Sequence, residues 1–253
     1  LPELLTTRCK LVAITHCSNV TGAITDVKPI VAAARAVGAR VLLDGAQMVP
    51  HGPVDVQTLD IDFYVFSGHK CFAPNGIGVL YGRREELSQL QVFQGGGGMV
   101  DHVSLCESRY ATAPTRMLEA GTPAIAQAVG LGAAMDWMQT LDWPAIRAYE
   151  TRLLNRLLNG MQKFPEMKLL GSRDTHDRAP VVGFVHETIH PHDICHILND
   201  YGLALRGGHH CAQPLLNALG VKAATRASLA FYNSEDEVDA LLAALEEVID
   251  ILT

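Results

Sequence analysis

Residues 60–70 read DIDFYVFSGHK, an apolar run of strand length closed by Ser67, Gly68, His69 and Lys70. Upstream, residues 40–47 read RVLLDGAQ, a second apolar run that ends at Asp44. Residues 10–15, KLVAIT, make a further strand ahead of the polar cluster SNVTG, and residues 77–81, IGVLY, make another. Between KLVAIT and RVLL the segment VKPIVAAARAV carries apolar residues at helical spacing, with Asp26 placed to cap its start and Gly38 to end it. Near-continuous apolar strands alternating with helices predict an α/β fold with a mainly parallel sheet covered on both faces. Ligands in such sheets bind beyond the carboxyl ends of the strands, where SNVTG, DGAQ and SGHK all stand.

Gly95–Gly98 opens a glycine-rich loop, and a less regular stretch follows as far as Glu119-Ala-Gly-Thr-Pro123. Helices are expected over residues 124–141 and 143–164, with Trp137 and Trp143 as packing residues. Strands are expected at Val181–Val185, Leu203–Leu205 and Arg226–Phe231, mixed with helices in a smaller α+β unit. Ser234 and Glu237 form a capping box that opens the final helix. The pattern divides the chain into a sheet domain over 1–143 and a small C-terminal α+β domain over 144–253.

A chain of 253 residues with 48% hydrophobic side chains can bury a substantial core. Its net charge is −7 and its basic residues are scattered, which argues against nucleic acid as a partner. No apolar run is long enough to span a bilayer, no basic amphipathic helix suggests a membrane surface, and LPELLTTRCK lacks the pattern of a signal peptide. The six cysteines show no pairing pattern, so reduced thiols and a cytoplasmic location are expected. Asn19-Val20-Thr21 matches a glycosylation sequon, which carries no meaning in that compartment.

Lys70, directly after a strand and beside Ser67 and His69, suits a Schiff-base lysine with hydroxyl and imidazole donors for a phosphate; a solvated strand-end lysine is the competing reading. Asp44 favours the first. Pyridoxal 5'-phosphate acts as an electron sink when its ring nitrogen stays protonated, and a carboxylate partner keeps it so. Gln47 could donate to the ring oxygen. The second motif is RGGHHCAQPL, residues 206–215, which sets Cys211 after two glycines and two histidines. Nucleophilic thiols need access and a lowered pKa, which neighbouring imidazoles can supply. An inert thiol in a structural loop is one alternative. A metal site of His209, His210 and Cys211 is another, but adjacent side chains diverge and no second ligand cluster exists, so no metal is expected. Arg206 and Arg226 frame the segment, and a guanidinium forks onto a carboxylate such as that of an amino acid; a surface salt bridge is the plainer reading of either. Cys9, Cys17, Cys71, Cys106 and Cys195 read as core or incidental thiols.

Several motifs together resemble one family. THCSNVTG (15–22), LDGAQ (43–47), DIDFYVFSGHK (60–70), GIGVLYG (76–82), LEAGTP (118–123), LRGGHHCAQPLL (205–216) and TRASLAFYN (225–233) are similar, in order, to the class V, fold-type I pyridoxal-phosphate enzymes, in particular the group II cysteine desulfurase and selenocysteine lyase branch. The resemblance implies a partial PLP-dependent transferase large domain followed by the small domain. It implies that Lys70 binds the cofactor and shuttles a proton at the substrate's Cα. Asp44 would hold the pyridinium, Gln47 the phenolic oxygen, and Ser67 with His69 the phosphate. Thr122 would reach the phosphate of a neighbouring subunit in a homodimer. Asn19 would lie by cofactor and substrate, Arg226 would bind the substrate carboxylate with Arg206 close by, and Cys211 would accept sulfur from L-cysteine for a small acceptor protein. Relative to the family, the N-terminal part of the large domain is lacking. Either a companion polypeptide supplies it or the chain is a fragment, which would lack sheet strands and expose apolar surface. Cys71 and Ala73, just after Lys70, are smaller departures. The rival expectations are another class V enzyme, an aminotransferase or kynureninase-like hydrolase with no need of Cys211, and a catalytically incompetent fragment that acts only by association.

Overall fold

The computed structural model describes residues 2–253, and the chain divides into two units. The first comprises the described residues up to Thr15 together with Asp26–Pro50 and Val54–Leu141. The second comprises His16–Thr25, His51–Pro53 and Asp142–Thr253, so the SNVTG segment belongs with the C-terminal part of the chain.

In the first unit, β1 (Leu11–Thr15), α1 (Val27–Ala36), β2 (Arg40–Asp44), β3 (Phe63–Ser67) and β4 (Gly78–Gly82) build a four-stranded sheet in the order β1-β2-β3-β4. The first three strands are parallel and β4 is antiparallel to β3. Parallel neighbours need a crossover, which α1 provides between β1 and β2. Its Val27, Val31 and Ala34 are buried at helical spacing and pack with Val12, Val41, Leu43 and Ile61. Asp26 stands at the cap position in extended backbone, but its side chain makes no capping hydrogen bond. Gly38 ends the helix as expected, at φ +73° with its N–H on the Arg35 carbonyl.

A buried carboxylate fixes the strand register. Asp62, just before β3, is 3% exposed. Its N–H donates to the Val41 carbonyl at 3.0 Å, and its Oδ2 accepts the Val41 N–H at 2.7 Å. Arg35 of α1 forks onto both carboxylate oxygens at 2.7 and 3.0 Å. Helix, β2 and the start of β3 are thereby tied through one side chain.

Beyond β4 come a short helix α2 (Arg84–Leu87), a two-stranded ribbon β5 (Val100–Val103) and β6 (Ser108–Tyr110), a short helix α3 (Pro114–Met117), and α4 (Ile125–Gln139). The sequence showed the ribbon only as irregular chain, because its residues are mostly exposed and carry no apolar alternation. Helix α4 is mostly apolar, yet Ile125, Val129 and Trp137 are open to solvent, as are Leu11 on β1 and Leu80 on β4. No helix among the described residues is long and apolar enough to cross a membrane.

The second unit holds α5 (Trp143–Gly160), β7 (Met167–Leu170), β8 (Val181–His186), α6 (Pro191–Asp200), β9 (Arg206–Gly208), α7 (Gln213–Ala218), β10 (Ala224–Ser228) and α8 (Glu235–Leu252). Its sheet is antiparallel, in the order β7-β8-β10-β9. Leu153, Leu154 and Leu157 of α5 share a core with Phe184 of β8, Ile194 and Leu198 of α6, and Leu241 and Leu245 of α8. Gly160 lets α5 approach α8, because a Cβ there would fall 2.2 Å from Leu242 Cδ1. The capping box at Ser234 and Glu237 is present in both directions.

Two strand expectations shift. Leu203 and Leu205 pack against the core ahead of the ladder, which begins only at Arg206 opposite Arg226. The strand expected at Arg226–Phe231 lies at Ala224–Ser228, because a turn closed by the Asn233 N–H on the Ala230 carbonyl takes the later residues. β7 went unseen, being a four-residue strand with no alternation to mark it.

Replacing Asp62 with Ala leaves the Val41 N–H without its acceptor and removes the carboxylate onto which Arg35 forks. Unfolding free energy measured in urea is expected to fall by about 3 kcal/mol.

Candidate active site

The carboxyl ends of β1, β2 and β3 lie along one edge of the parallel sheet, since Thr15 is in register with Asp44 and Asp44 with Val65. Adjacent strands lie about 4.8 Å apart, so Asp44 stands beside Val65, two residues before the strand end that leads into the lysine turn. Asp44 is exposed, and its Oδ1 accepts the Ala46 N–H at 2.9 Å, which leaves Oδ2 for a donor. Gly45 has no room for a side chain, because a Cβ would fall 1.9 Å from Tyr64 Oη. That close approach seats the DGAQ turn against β3, with the Gly45 N–H on the Val65 carbonyl at 2.8 Å. Gln47 lies half-buried in the same turn.

Ser67 ends β3, and Gly68–Lys70 forms one turn of 3₁₀ helix that leaves His69 and Lys70 exposed. Ser67 Oγ and His69 Nδ1 are hydrogen-bonded at 2.9 Å. Cys71 is buried beneath this turn with its Sγ 3.2 Å from the Gly68 carbonyl, and burial pushes its pKa up. Phe72 stands at φ 65°, and its ring meets Trp137 edge-on at 5.3 Å, which anchors the chain just after Lys70 to α4. The structure therefore brings Asp44, Gln47, Ser67, His69 and Lys70 to one sheet edge. Thr122 stands elsewhere in the unit, exposed in a loop held by the Gly121 N–H on the Gly97 carbonyl at 2.9 Å.

As a donor set this edge fits pyridoxal phosphate: a carboxylate with one free oxygen, an amide beside it, a hydroxyl–imidazole pair, and an exposed primary amine on the neighbouring strand's turn. Among the described residues no group of three His, Cys, Asp or Glu side chains could hold a metal ion.

The second unit carries the other predicted residues. The Cys211 loop runs from β9 to α7, as its sequence setting suggested. His210 and Cys211 stand at φ 54° and 56°. Two consecutive left-handed residues without glycine cost about 1–2 kcal/mol each. Cys211 is exposed in a cleft of about 430 Å³ lined also by Arg206, His209, His210, Gln213 and Pro214. The two histidines behave differently from one another. His210 is 4% exposed, and its Nε2 donates to the Ala224 carbonyl at 2.9 Å. Burial lowers its pKa, against the raising effect of the Ala224 carbonyl, and the charges of Arg226 and Arg206 lower it further. His209 is exposed and faces Gln213, with Nδ1 and Nε2 3.3 Å apart. Cys17, in contrast to Cys211, is fully buried, and burial pushes its pKa up to about 12.

Arg206 and Arg226 are directly opposite each other across the β9–β10 ladder. Neither is among the ion pairs formed by the described residues. Arg226 Nη1 donates to the Asn19 carbonyl at 3.1 Å, and its buried Nε has no protein partner. Burial first, then Arg206, lowers the Arg226 pKa. Like charges placed directly opposite one another repel, so the pair suits an anion. Asn19, expected beside cofactor and substrate, turns its Nδ2 onto the His210 carbonyl at 2.6 Å. No sequence signal marked that contact, which joins residues 191 positions apart.

Residues 1–241 match the family described as Aminotransferase class-V, and the chain belongs to it. That family is one of pyridoxal-phosphate enzymes. Among its relatives, the chain is 46% identical over 252 residues to a cysteine desulfurase of Serratia proteamaculans, which covers 100% of this chain and 61% of that protein. It is 45% identical over 243 residues to a probable cysteine desulfurase of Mycobacterium leprae, covering 96% of this chain and 58% of the relative. Among solved structures, the Escherichia coli cysteine desulfurase CsdA, in an S-sulfonic acid form, superposes with a TM-score of 0.93 at 40% identity, over 100% of this chain and 62% of that one. The α/β fold, a mostly parallel sheet followed by an antiparallel one, is thus that of the cysteine desulfurase structures. The chain spans about three fifths of the length of these relatives.

Removing one arginine of the facing pair relieves its repulsion. Arg206→Gln is expected to stabilise the ligand-free protein by about 0.5 kcal/mol and to reduce the stabilisation that added carboxylate anions give the wild type, both read from thermal denaturation.

Proposed function

We propose that this chain is the greater part of a cysteine desulfurase that converts L-cysteine to L-alanine and takes the sulfur onto Cys211. The observation that carries the reading is an exposed thiol, on a strained loop between strand and helix, in a cleft shared with Arg206, which faces Arg226 across the ladder with no counter-ion among the described residues. An aminotransferase or hydrolase would give that thiol nothing to do. The likeness to cysteine desulfurases over the whole of this chain supports the same choice.

In this reading the first unit is the cofactor-binding part of the large domain and the second is the smaller domain. Asp44 would hold the ring N–H of pyridoxal 5'-phosphate, Gln47 its phenolic oxygen, and Ser67 with His69 its phosphate, while Lys70 would offer its amine to the aldehyde and Asn19 would add a polar contact. The group, when bound, supplies an electron sink conjugated to the substrate's Cα. Arg226, with Arg206 nearby, forks onto the substrate carboxylate and orients the Cα–H bond. Lys70 Nζ removes the Cα proton. Cys211 Sγ attacks the substrate's sulfur, so that one C–S bond breaks and one S–S bond forms. The transferred sulfur is oxidised to the sulfane level and Cβ is reduced to a methyl group, with no external oxidant. L-Cysteine and the enzyme thiol thus give L-alanine and an enzyme persulfide. Selenocysteine would react by the same exchange.

The partners that fit are a second copy of the chain, with Thr122 of one copy reaching the other's phosphate, and a small sulfur-acceptor protein that collects the persulfide. The relatives carry a further part that this chain does not span. The open strands β1 and β4 and the bare face of α4 are surfaces which such a part would cover.

Borohydride reduction of the pyridoxal-phosphate-loaded protein is expected to fix the label on Lys70. Lys70→Ala should lose the label and slow alanine formation by about 10²–10⁴-fold, the usual worth of a positioned proton carrier. Cys211→Ala should retain the label and the visible absorption but lose persulfide and alanine formation. Cysteine turnover unchanged in Cys211→Ala would sink the desulfurase reading.

A further inference from the structure

The Cys211 loop holds a backbone shape that its own residues disfavour. His210 and Cys211 both sit in the left-handed region without glycine, and such pairs persist only where the surroundings impose them. The surroundings are identifiable. Asn19 Nδ2 donates to the His210 carbonyl at 2.6 Å. The His210 ring, buried, donates through Nε2 to the Ala224 carbonyl at 2.9 Å, two residues before Arg226 on β10. The Ala212 N–H closes the turn onto the His209 carbonyl at 2.9 Å. Asn19 makes one more contact, accepting from Arg226 Nη1 at 3.1 Å. One asparagine thus holds the peptide unit that precedes Cys211 and a guanidinium of the facing arginine pair together.

We propose that Asn19 and His210 form a clasp that fixes the position of the Cys211 thiol and ties it to Arg226, both acting as positioning residues. The proposal rests on the reading of Cys211 as sulfur acceptor. Without the clasp, φ at residues 210 and 211 relaxes toward negative values, and the Cα–Cβ bond of Cys211 swings away from its present direction. The thiol stays accessible, but its orientation relative to Arg226 is lost. Substrate binding through Arg226 survives better than sulfur transfer does. The His210 anchor is a ring N–H to carbonyl bond, made by a side chain whose pKa burial lowers. A glutamine, whose Nε2 lies at a similar reach, can replace it; a leucine of similar bulk cannot.

The test uses His210→Leu, His210→Gln and Asn19→Asp in the pyridoxal-phosphate-loaded protein. Cysteine turnover gives a kcat and KM split, and amide hydrogen exchange across residues 209–212 gives a readout independent of cofactor and turnover. The expected result is a kcat at least tenfold lower with KM within twofold for His210→Leu and Asn19→Asp, and near wild-type kcat for His210→Gln. In the two defective variants exchange in the loop should quicken at least tenfold, with β8 and α5 unaltered. Unchanged loop exchange, or exchange raised throughout the unit in both variants, overturns the clasp. So does a wild-type kcat in both. Should the wild-type protein release no alanine from cysteine, the functional reading fails, and the exchange data still decide the clasp.

Discussion

Everything at the lysine edge depends on the grip that Asp62 has on Val41. A parallel pair of strands has no tight turn to set its register, and a slip of one residue would turn every side chain to the opposite face. Asp62 holds Val41 by both its N–H and its carbonyl, and Arg35 holds the carboxylate in place. With that register Asp44 stands in line with Val65, two residues before the Ser67 that ends β3. The Asp44 turn and the lysine turn share one edge of the sheet because a different carboxylate, buried at the far ends of the same strands, measures out the ladder.

The two clusters place their reactive groups by different means. In the first unit the parallel sheet does the work: successive strands run the same way, so their carboxyl ends deliver polar turns to one edge, and small local devices such as the Tyr64 hydroxyl over Gly45 seat each turn. The antiparallel sheet of the second unit has no such common edge. Its cysteine stands on a loop, and the loop must be shaped by contacts from outside it. That difference is why the left-handed non-glycine pair occurs at residues 210 and 211, where anchors from Asn19 and Ala224 converge.

The legible part of the sequence followed periodicity and order. Apolar strands closed by DGAQ and SGHK announced a parallel sheet, and adjacency then brought Asp44, Gln47, Ser67, His69 and Lys70 together without further information. RGGHHCAQPL announced a loop between strand and helix with an exposed thiol, and both features are present. The histidines were less legible. Adjacent residues in a chain look equivalent, yet His210 turns inward to the Ala224 carbonyl while His209 stays in solvent, a choice made by tertiary packing. Strand ends in the second unit slipped for a similar reason, since Leu203 and Leu205 are apolar to serve the core and the ladder starts only at Arg206. Asn19 was legible as a polar residue after a strand, but its bond to a carbonyl almost two hundred positions away was not.

Strain and charge are concentrated in the same short stretch of the second unit. A left-handed pair and two facing guanidinium groups each raise the energy of the ligand-free fold. Both are held by bonds to backbone carbonyls, which are neutral and cannot cancel the charge: Arg226 on Asn19, His210 on Ala224. A carboxylate side chain at position 19 would face the His210 carbonyl with a second acceptor and give the loop no donor. An asparagine avoids that fault. It donates to the loop through its amide and accepts from the arginine through its main chain, so the positive field at the ladder is left for whatever anion enters the cleft.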